Sequence, residues 1–303
     1  MHRRCRNIVL TFILATVFGC DGAGGAPDKI WGKFGSNNGL FMRPRAVAIR
    51  GDRLFIVDYS ARIQVFDLDG NYVGPTWTTP DYRNGRPSGL GIDRDGNLIV
   101  SDSHYFCFRI YSPDGTELRK IGGVGGTEPG QLGYVSDVEQ DADGFYYVAE
   151  FGENNRISKW NADGKFVKCW GQAGTEPGQF QRVRALALGP DGLLYAADAL
   201  NNRIQVFTRD GELVRVFGEA GNGPGQLGYP YDLAFGPKGE LYVVEHENNR
   251  VQKFSAEGVS LGTWGGPGRE PGKLHNPWAL AVDRKGRVHI IDTDNNRVQR
   301  VRF

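Results

Sequence analysis

The sequence is poor in the residues on which several classes of functional site depend. Its 303 residues include only four cysteines and five histidines. No two cysteines stand in a CxxC spacing, which excludes cysteine-rich zinc sites and thioredoxin-type redox motifs. Lysine plus arginine (36) almost equals aspartate plus glutamate (35). This balance gives no bulk attraction to nucleic acid or to an anionic membrane, so we predict no nucleic-acid partner.

Long apolar runs and helix-favouring stretches are also scarce. The 44 glycines and 15 prolines indicate many turns and few long helices. The main apolar run, residues 8–18, is too short to span a bilayer comfortably. It follows a basic segment at residues 2–6 and ends at small Gly19, which is the pattern of a secretory signal. We therefore assign residues 1–20 to a signal peptide and expect an exported protein.

The end of this signal resembles the lipobox of bacterial lipoproteins. The residues concerned are Val17-Phe18-Gly19-Cys20, and the resemblance implies cleavage before Cys20 and acylation of its sulfur. Residues 21–28 would then form a flexible tether, and the protein would reach the membrane only through its lipid anchor. Ordinary secretion, with Cys20 discarded or incidental, is the alternative. The predicted location is the periplasm or the cell surface.

Two cysteines, Cys107 and Cys169, remain in the body of the chain. Both have apolar neighbours, and they fall in different strands of the repeats described below. We predict two buried thiols rather than a disulfide.

A recurring arginine reveals an internal repeat. Each copy stands 47 residues after the previous one, at Arg62, Arg109, Arg156, Arg203, Arg250 and Arg297. Around it, apolar runs of four to six residues alternate with turns that contain Asp-Gly, Glu-Gly or Asn-Asn. Runs of this length predict four antiparallel strands in each repeat. A lone four-stranded sheet exposes two apolar faces, so we predict an all-β, six-bladed β-propeller in which neighbouring blades cover each other.

The two ends of the chain predict how the ring closes. The sixth repeat ends at residues 297–303, one strand short. Residues 29–35 precede the first repeat and carry the missing aromatic-Gly strand. The N-terminal strand should therefore complete the last blade, within a propeller domain that covers residues 29–303 and is monomeric.

The repeat resembles a known family. Its pattern L-Y-V-x-[DE], then N-N-R-[IV]-Q, with PGQF or PGQL after the blade, is similar to the NHL repeat. The resemblance recurs across residues 29–303 and implies a six-bladed propeller. It does not imply one function, because NHL propellers include RNA-binding tripartite-motif proteins, the peptidyl-hydroxyglycine amidating lyase and surface proteins of unknown role.

Positions that the copies share indicate structure. An acid ends the second strand of every repeat, on the same face as the arginines: Asp58, Asp102, Glu150, Asp198, Glu245 and Asp292. We predict an alternating ring of charge-assisted hydrogen bonds that fastens blade to blade; a metal-binding carboxylate ring is the alternative. The Asn-Asn pairs are expected to supply left-handed turn residues.

Positions at which the copies differ point to function. Before the innermost strand, at the mouth of the central channel, stand two arginines, two serines and two aromatic residues: Arg45, Ser88, Ser136, Arg184, Tyr231 and Trp278. Arg45 and Arg184 belong to opposite blades and should face each other. These groups predict a funnel that binds a small anionic or glycan-like ligand. The alternative is a set of solvated side chains around an empty channel.

A carboxyl group inside the innermost strand also breaks the pattern. Glu139 of the third repeat stands where the other copies of this strand carry alanine or glycine. It must be paired or face the channel, because an isolated buried charge is costly. One interpretation is a salt bridge to Arg184 or Arg182; the other is a general base or ligand anchor in the funnel.

The second repeat departs most from the others. Aromatic residues replace the usual turn and linker: Trp77, Tyr82, His104, Tyr105 and Phe106. They predict an exposed patch for a protein partner on the loop face. Sequence drift in one blade is the alternative.

These observations leave three function classes. We predict a non-enzymatic extracytoplasmic binding or interaction scaffold that uses the loop face and funnel. The alternative is a propeller lyase or hydrolase resembling the amidating lyase, for which the resemblance implies zinc held by histidines near the axis. The mouth positions hold no histidine, which leaves only His104 and His246 for a two-histidine site. RNA binding is opposed by the export signal and neutral charge. We predict no cofactor; zinc or calcium in the channel is the alternative.

Overall fold

Each repeat folds as a four-stranded antiparallel sheet, and six such sheets surround a central channel. The computed structural model describes residues 25–80 and 86–302. The strands form where β-branched and aromatic residues predominate, and they end at Gly, Asn and Asp turns. The prediction of an all-β, six-bladed propeller is confirmed. Within the described ranges, no helix is long and apolar enough to cross a membrane.

The strands are numbered in chain order, and the first three blades use β2 to β13. Blade 1 contains β2 (Pro44–Arg50), β3 (Arg53–Asp58), β4 (Arg62–Asp67) and β5 (Tyr72–Thr78). Blade 2 contains β6 (Pro87–Ile92), β7 (Leu98–Asp102), β8 (Cys107–Tyr111) and β9 (Glu117–Gly122). Blade 3 contains β10 (Tyr134–Gln140), β11 (Tyr146–Phe151), β12 (Arg156–Trp160) and β13 (Phe166–Trp170).

The remaining blades follow the same order from the channel outwards. Blade 4 contains β14 (Val183–Leu188), β15 (Leu194–Asp198), β16 (Arg203–Phe207) and β17 (Leu213–Phe217). Blade 5 contains β18 (Pro230–Phe235), β19 (Leu241–Glu245), β20 (Arg250–Phe254) and β21 (Ser260–Gly265). Blade 6 contains β22 (Ala279–Val282), β23 (Val288–Asp292), β24 (Arg297–Val301) and β1 (Lys29–Trp31). Short 3-10 turns occupy Ser103–Tyr105, Ala199–Asn201 and Thr293–Asn295.

The two ends of the chain close the ring, as predicted. Strand β1 pairs antiparallel with β24, and Trp31 lies opposite Val298. The guanidinium of Arg300 in β24 donates to Asp28 Oδ1 at 2.8 Å and to Asp69 Oδ1 of blade 1 at 2.7 Å. One arginine therefore links the N-terminal segment, the last blade and the first blade.

The hydrophobic core lies between the blades rather than at one centre. Between blades 4 and 5, for example, Ile204 and Val206 pack in one cluster with Leu233 and Phe254. A sheet that buries both faces in this way is stabilised by its neighbours, since removal of apolar surface from water is the main stabilising contribution.

The predicted acid–arginine ion pairs form within blades rather than between them. The arginines instead bond the linkers, the segments that connect one blade to the next. In blade 4, Arg203 Nε lies 2.8 Å from Asp198 Oδ2. The terminal nitrogens of Arg203 donate to backbone oxygens of Glu176 and Gln179, which belong to the linker from blade 3. In five blades the arginine donates hydrogen bonds to backbone oxygens of the preceding linker; these residues are Arg62, Arg156, Arg203, Arg250 and Arg297.

Arg109, counted above as the sixth member of this series, is not equivalent to the others. Asp102 pairs with Cys107 across the hairpin, whereas Asp198 pairs with Arg203. Cys107 therefore occupies the arginine position, and Arg109 lies two residues further along its strand. Arg109 donates to Asp102 and Glu117 of its own blade instead. The constant spacing concealed a shift in register at blade 2.

The cysteine prediction is half right. Both thiols are free, and Cys107 is buried, but Cys169 is exposed on the outer strand β13. The pairing of β12 with β13 leaves the side of Cys169 uncovered, because no further strand follows at the rim of the blade.

The second asparagine of each Asn-Asn pair adopts the predicted left-handed conformation. The four φ values lie between 42° and 56°, at Asn155, Asn202, Asn249 and Asn296. Each side chain also accepts a hydrogen bond from a backbone amide of the following blade; Asn202 Oδ1, for instance, accepts from the Tyr229 amide at 2.7 Å. These residues join a turn to the next blade.

Replacing Asn202 by alanine should therefore destabilise the protein by about 1–2 kcal/mol, through loss of both the left-handed preference and the hydrogen bond. Asn202→Gly should recover part of this loss, because glycine adopts positive φ but cannot accept the bond. Urea unfolding of the three proteins gives the comparison. Equal stability of the alanine variant and the parent protein would contradict this account.

Candidate ligand-binding site

The six residues predicted at the channel mouth come together in the structure. All of them line one narrow cavity of about 20 Å³ at the end of the channel. In blades 1 to 5 the pairing of the innermost strand shifts register at this level, as between Pro44 and Ala46 and between Pro230 and Asp232. A bulge of this kind redirects side chains, and here Arg45 and Tyr231, which lie between those residues, line the cavity.

The two mouth arginines stack on aromatic rings. The guanidinium carbon of Arg184 lies 4.0 Å from the centroid of the Tyr231 ring, and that of Arg45 lies 4.4 Å from the Trp278 ring. Arg184 also lies 5.7 Å from Trp278, so both cations share one indole. Arg184 is only 5% exposed, and its Nε has no hydrogen-bond partner among the described residues.

Among the described residues, neither Arg45 nor Arg184 forms a salt bridge, although Asp137 and Asp232 line the same cavity. Burial lowers the pKa of Arg45 to about 10, and the neighbouring Arg184 guanidinium is the next largest cause. Arg86 and Arg43 act in the same direction. A cluster of cations that disfavour each other's charge is a site that a bound anion would stabilise.

An outer ring of residues surrounds the mouth, and sequence analysis did not assign it to the site. Arg86 lies 3.5 Å from the Tyr59 ring centroid, and Arg182 lies 4.8 Å from the Phe151 ring centroid. Arg43 of the same ring is paired with Asp294 at 2.9 Å. Alignment of the repeats two positions before the mouth would have found them, since three of the six copies carry arginine there.

The two serines line the cavity but use their hydroxyls in the fold. Ser88 Oγ donates to the Ser136 carbonyl at 3.0 Å, and Ser136 Oγ donates to the Val183 carbonyl at 2.7 Å. Each serine thus bonds the backbone of the following blade. Of the six predicted mouth residues, the two arginines and the two aromatic residues therefore remain as candidate ligand-binding groups.

Two further acids stand at the junction of the mouth and the channel, and sequence analysis missed them. Asp137 and Asp232 line both the mouth cavity and the channel below it, whose volume is about 900 Å³. Asp137 Oδ2 accepts from the Leu186 amide at 2.9 Å, and Asp232 Oδ2 accepts from the Leu280 amide at 3.0 Å. One position after the mouth residue, the other four repeats carry alanine or glycine, and that contrast was the available signal.

Glu139 faces the channel together with these two acids. Burial, and then the nearby Asp137 and Asp232, raise its pKa well above the usual value. Burial is also the main reason that the pKa of Asp137 rises to about 6 and that of Asp232 to about 8. Among the described residues, Glu139 makes no salt bridge to Arg182 or Arg184, so the acid–arginine pair considered from sequence is not formed.

The arrangement of these acids does not fit a metal site. Within residues 25–80 and 86–302, no group of three or more His, Cys, Asp or Glu side chains is positioned to hold a metal ion. The side chains therefore lend no support to zinc or calcium in the channel.

The aromatic patch predicted in blade 2 is only partly assembled. Trp77 packs between blades 1 and 2, 6.4 Å from Phe55 and 6.1 Å from Tyr111 between ring centroids. Tyr82 lies outside the described residues. Tyr105 is half-buried in the 3-10 turn. The aromatic surface at this place is formed instead with rings of blade 3.

That surface is a groove between blades 2 and 3. Phe106 and Tyr134 are nearly parallel at 5.7 Å, and Tyr134 lies 5.3 Å from both Phe151 and His104 between ring centroids. We call the cavity lined by Phe106, Tyr134 and Phe151 the aromatic groove; its volume is about 860 Å³. Tyr134 and Phe151 were not singled out from the sequence, because they lie in a different repeat from Phe106.

Comparisons with known proteins agree with this architecture. The NHL repeat family model matches residues 227–254, in blade 5. No curated protein sequence matches the chain significantly. Among solved structures, virginiamycin B lyase from Staphylococcus aureus aligns with a TM-score of 0.63 at 13% identity, over 91% of this chain and 98% of that one.

Two further solved structures have the same general shape. A gluconolactonase from Xanthomonas campestris aligns with a TM-score of 0.64 at 16% identity, over 86% of each chain. The WD40 propeller domain of Doa1 aligns with a TM-score of 0.60 at 15% identity, over 88% of this chain and 79% of that one. Identities this low carry the fold and no activity. The chain is a six-bladed β-propeller, and one of its repeats matches the NHL repeat model.

Proposed function

We propose that the protein is a non-enzymatic binding scaffold that takes a small anionic or glycan-like ligand at the channel mouth. The observation that carries the proposal is the pair of guanidiniums, Arg45 and Arg184, held against Trp278 and Tyr231 with no salt bridge to a carboxylate among the described residues. Guanidinium groups bind carboxylates and phosphates through paired hydrogen bonds, which a lone point charge cannot do. The stacked rings hold the arginines in place before the ligand arrives.

The proposal extends to the location of the protein. Export and anchoring through Cys20 remain predictions, since Cys20 lies outside the described residues. The first described residue, Gly25, accepts a hydrogen bond from Trp264 Nε1 at the rim of blade 5. Five residues of chain span at most about 18 Å, so an acyl group on Cys20 would hold the rim close to a membrane. The mouth would stay open to a soluble ligand or to a protein partner, and neither nucleic acid nor a second copy of the chain is required.

The test of the anion site is the double substitution Arg45→Ala with Arg184→Ala. We expect the parent protein to bind glucuronate but not neutral glucose, and the variant to bind glucuronate at least about a hundredfold more weakly. The melting temperature should hardly change, because the two cations disfavour each other. Isothermal titration calorimetry and thermal unfolding give both quantities.

A matched control removes two arginines elsewhere. Arg53 and Arg284 are exposed at turns on the opposite face, so Arg53→Ala with Arg284→Ala changes the net charge equally without touching the mouth. Glucuronate binding should be retained in this control. Equal binding by parent protein and mouth variant would refute the proposed site.

One observation favours the enzyme alternative, a lyase or hydrolase. His246 stacks on Tyr231 at the mouth, at 5.2 Å between centroids, and burial lowers its pKa, so the ring is neutral near pH 7 and suited to accept a proton. A histidine-to-alanine variant of virginiamycin B lyase is catalytically inactive. Cleavage of quinupristin or gluconolactone by the parent protein, lost in His246→Ala, would replace the scaffold proposal. Bound stoichiometric zinc or calcium, found by metal analysis, would also favour the enzyme.

A further inference from the structure

The aromatic groove contains a residue, Phe106, that departs from the repeat, although its ring also packs against the core between blades 2 and 3. Phe106 ends the 3-10 turn of blade 2 with φ 50° and ψ 41°. In blade 4 the same place holds Asn202 with φ 53° and ψ 41°. Asparagine tolerates this left-handed conformation, whereas a bulky side chain there is an outlier. Four blades carry asparagine at this place, and blade 1 carries the small Ala61.

Phenylalanine also gives up a hydrogen bond at this place. Asn202 accepts from the amide of Tyr229, where the next blade begins. Tyr134 is the corresponding residue after Phe106, and a benzyl group has no oxygen to accept from its amide. Blade 1, with Ala61, also lacks the acceptor, but only blade 2 among the six places a bulky ring in this left-handed conformation. That strain indicates that the ring serves another purpose.

The Phe106 ring packs with other aromatic residues. Phe106 lies nearly parallel to Tyr134, and Tyr134 contacts Phe151. Tyr134 is 37% exposed, and glycines at 125, 126, 133 and 152 keep the space beside the rings open. The equivalent notch between blades 4 and 5 is lined by Asn202, Glu247 and Asn248 and contains no ring.

A third arginine, Arg182, lies near the groove. Arg182 lies over Phe151 at 4.8 Å, and it stands two residues before Arg184. The charge of Arg182 also acts on Tyr229 and His246, which stack against Tyr231 at the mouth. Arg182 therefore lies near a ring of the groove and acts on rings beside the mouth.

We propose that the aromatic groove binds the apolar part of the same ligand whose anionic group binds at Arg45 and Arg184. The ligand class is then an amphipathic carboxylate, with the acid separated from an aromatic or aliphatic group by a chain of several bonds. This inference rests on the proposed anion site. A wholly apolar partner is disfavoured by Arg182, which lies over Phe151 of the groove, and a wholly polar one by the three rings.

The test uses three probes with the full-length protein: acetate, 4-phenylbutyrate and 4-phenylbutan-1-ol. We expect 4-phenylbutyrate to bind about tenfold more tightly than acetate, because only its phenyl group reaches the groove, and the neutral alcohol to bind more weakly than the acid. Phe106→Asn installs the residue found in four other blades. It should reduce 4-phenylbutyrate affinity to that of acetate and leave acetate affinity within about twofold of the parent value. The affinities for all three probes are measured by NMR chemical-shift titration.

A matched control replaces an exposed apolar side chain in another blade. Leu200 is 53% exposed in the 3-10 turn of blade 4, and Leu200→Asn should leave the affinities for all probes unchanged. Equal affinity of acetate and 4-phenylbutyrate, with both lost in Arg45→Ala with Arg184→Ala, would overturn this inference alone. Tight binding of the neutral alcohol, unaffected by the arginine substitutions, would show a separate apolar site and also overturn it. Absence of any carboxylate binding would overturn the proposed function itself.

Discussion

Replacing Trp31 by alanine is expected to lower the free energy of unfolding by about 3–5 kcal/mol. Trp31 lies in the strand that closes the ring, and it packs in one buried cluster with Val47 of blade 1 and Val298 of blade 6. Its indole also meets His289 edge-on, at 5.9 Å between centroids. The substitution would leave a cavity beside the pairing of β1 with β24, where strands from the two ends of the chain meet within blade 6.

The expected loss of stability is large because the Trp31 indole is buried between blades 1 and 6. A loss of this size is a large fraction of the 5–15 kcal/mol that stabilises a typical domain. Urea unfolding of the parent and variant proteins measures it. Phe34→Ala is the control, because Phe34 follows the same strand and is 69% exposed; its substitution should change the stability by less than about 0.5 kcal/mol. If the two variants are equally stable, the closing strand does not hold the ring together.

Replacing Asp232 by asparagine should make the protein more stable at high pH and remove much of its pH dependence. The folded state raises the pKa of Asp232 to about 8, first through burial and then through Asp137. A raised carboxyl pKa means that stability is fully present below the pKa of the unfolded chain and is lost as pH rises through the folded value. The parent protein should therefore lose stability between pH 5 and pH 9 through this group.

The expected difference is about 2–4 kcal/mol at pH 9, after allowance for water in the channel, and under about 1 kcal/mol at pH 5. Asparagine keeps an oxygen that can accept from the Leu280 amide, as Asp232 does, so the variant should fold. Thermal unfolding at the two pH values gives the comparison. Asp52→Asn, at an exposed turn, is the control and should not change the slope. A variant that loses stability with pH as steeply as the parent would show that Asp232 is not the group responsible.

The repeat made much of the fold predictable from the sequence. Four short apolar runs per repeat specify a sheet, and a sheet with two apolar faces needs neighbours, so the propeller follows from burial alone. The missing last strand and the extra strand around Trp31 specified the closure in the same way. The six mouth residues were also found, because alignment of the repeats fixes the level of a side chain along the channel.

Strand register and contacts between blades were harder to predict from the sequence. Equal spacing placed Arg109 with the other repeated arginines, but spacing counts residues and does not reveal that the turn before β8 is shifted relative to the hairpin. The hydroxyls of Ser88 and Ser136 looked free because their acceptors are backbone carbonyls, which no side-chain pattern displays. Tyr134 was overlooked for a related reason, since it meets Phe106 only once two repeats lie side by side.

The pairing of β1 with β24 has a consequence for how the protein is made. Blade 6 needs the first strand of the chain and the last one, so its sheet cannot assemble until synthesis has reached Val301. Contacts between such distant segments form late in folding, because bringing the segments together costs chain entropy before the contacts can stabilise the structure. If the protein is exported as proposed, its ring would stay incomplete throughout passage across the membrane, and β1 would pair with β24 only on the far side.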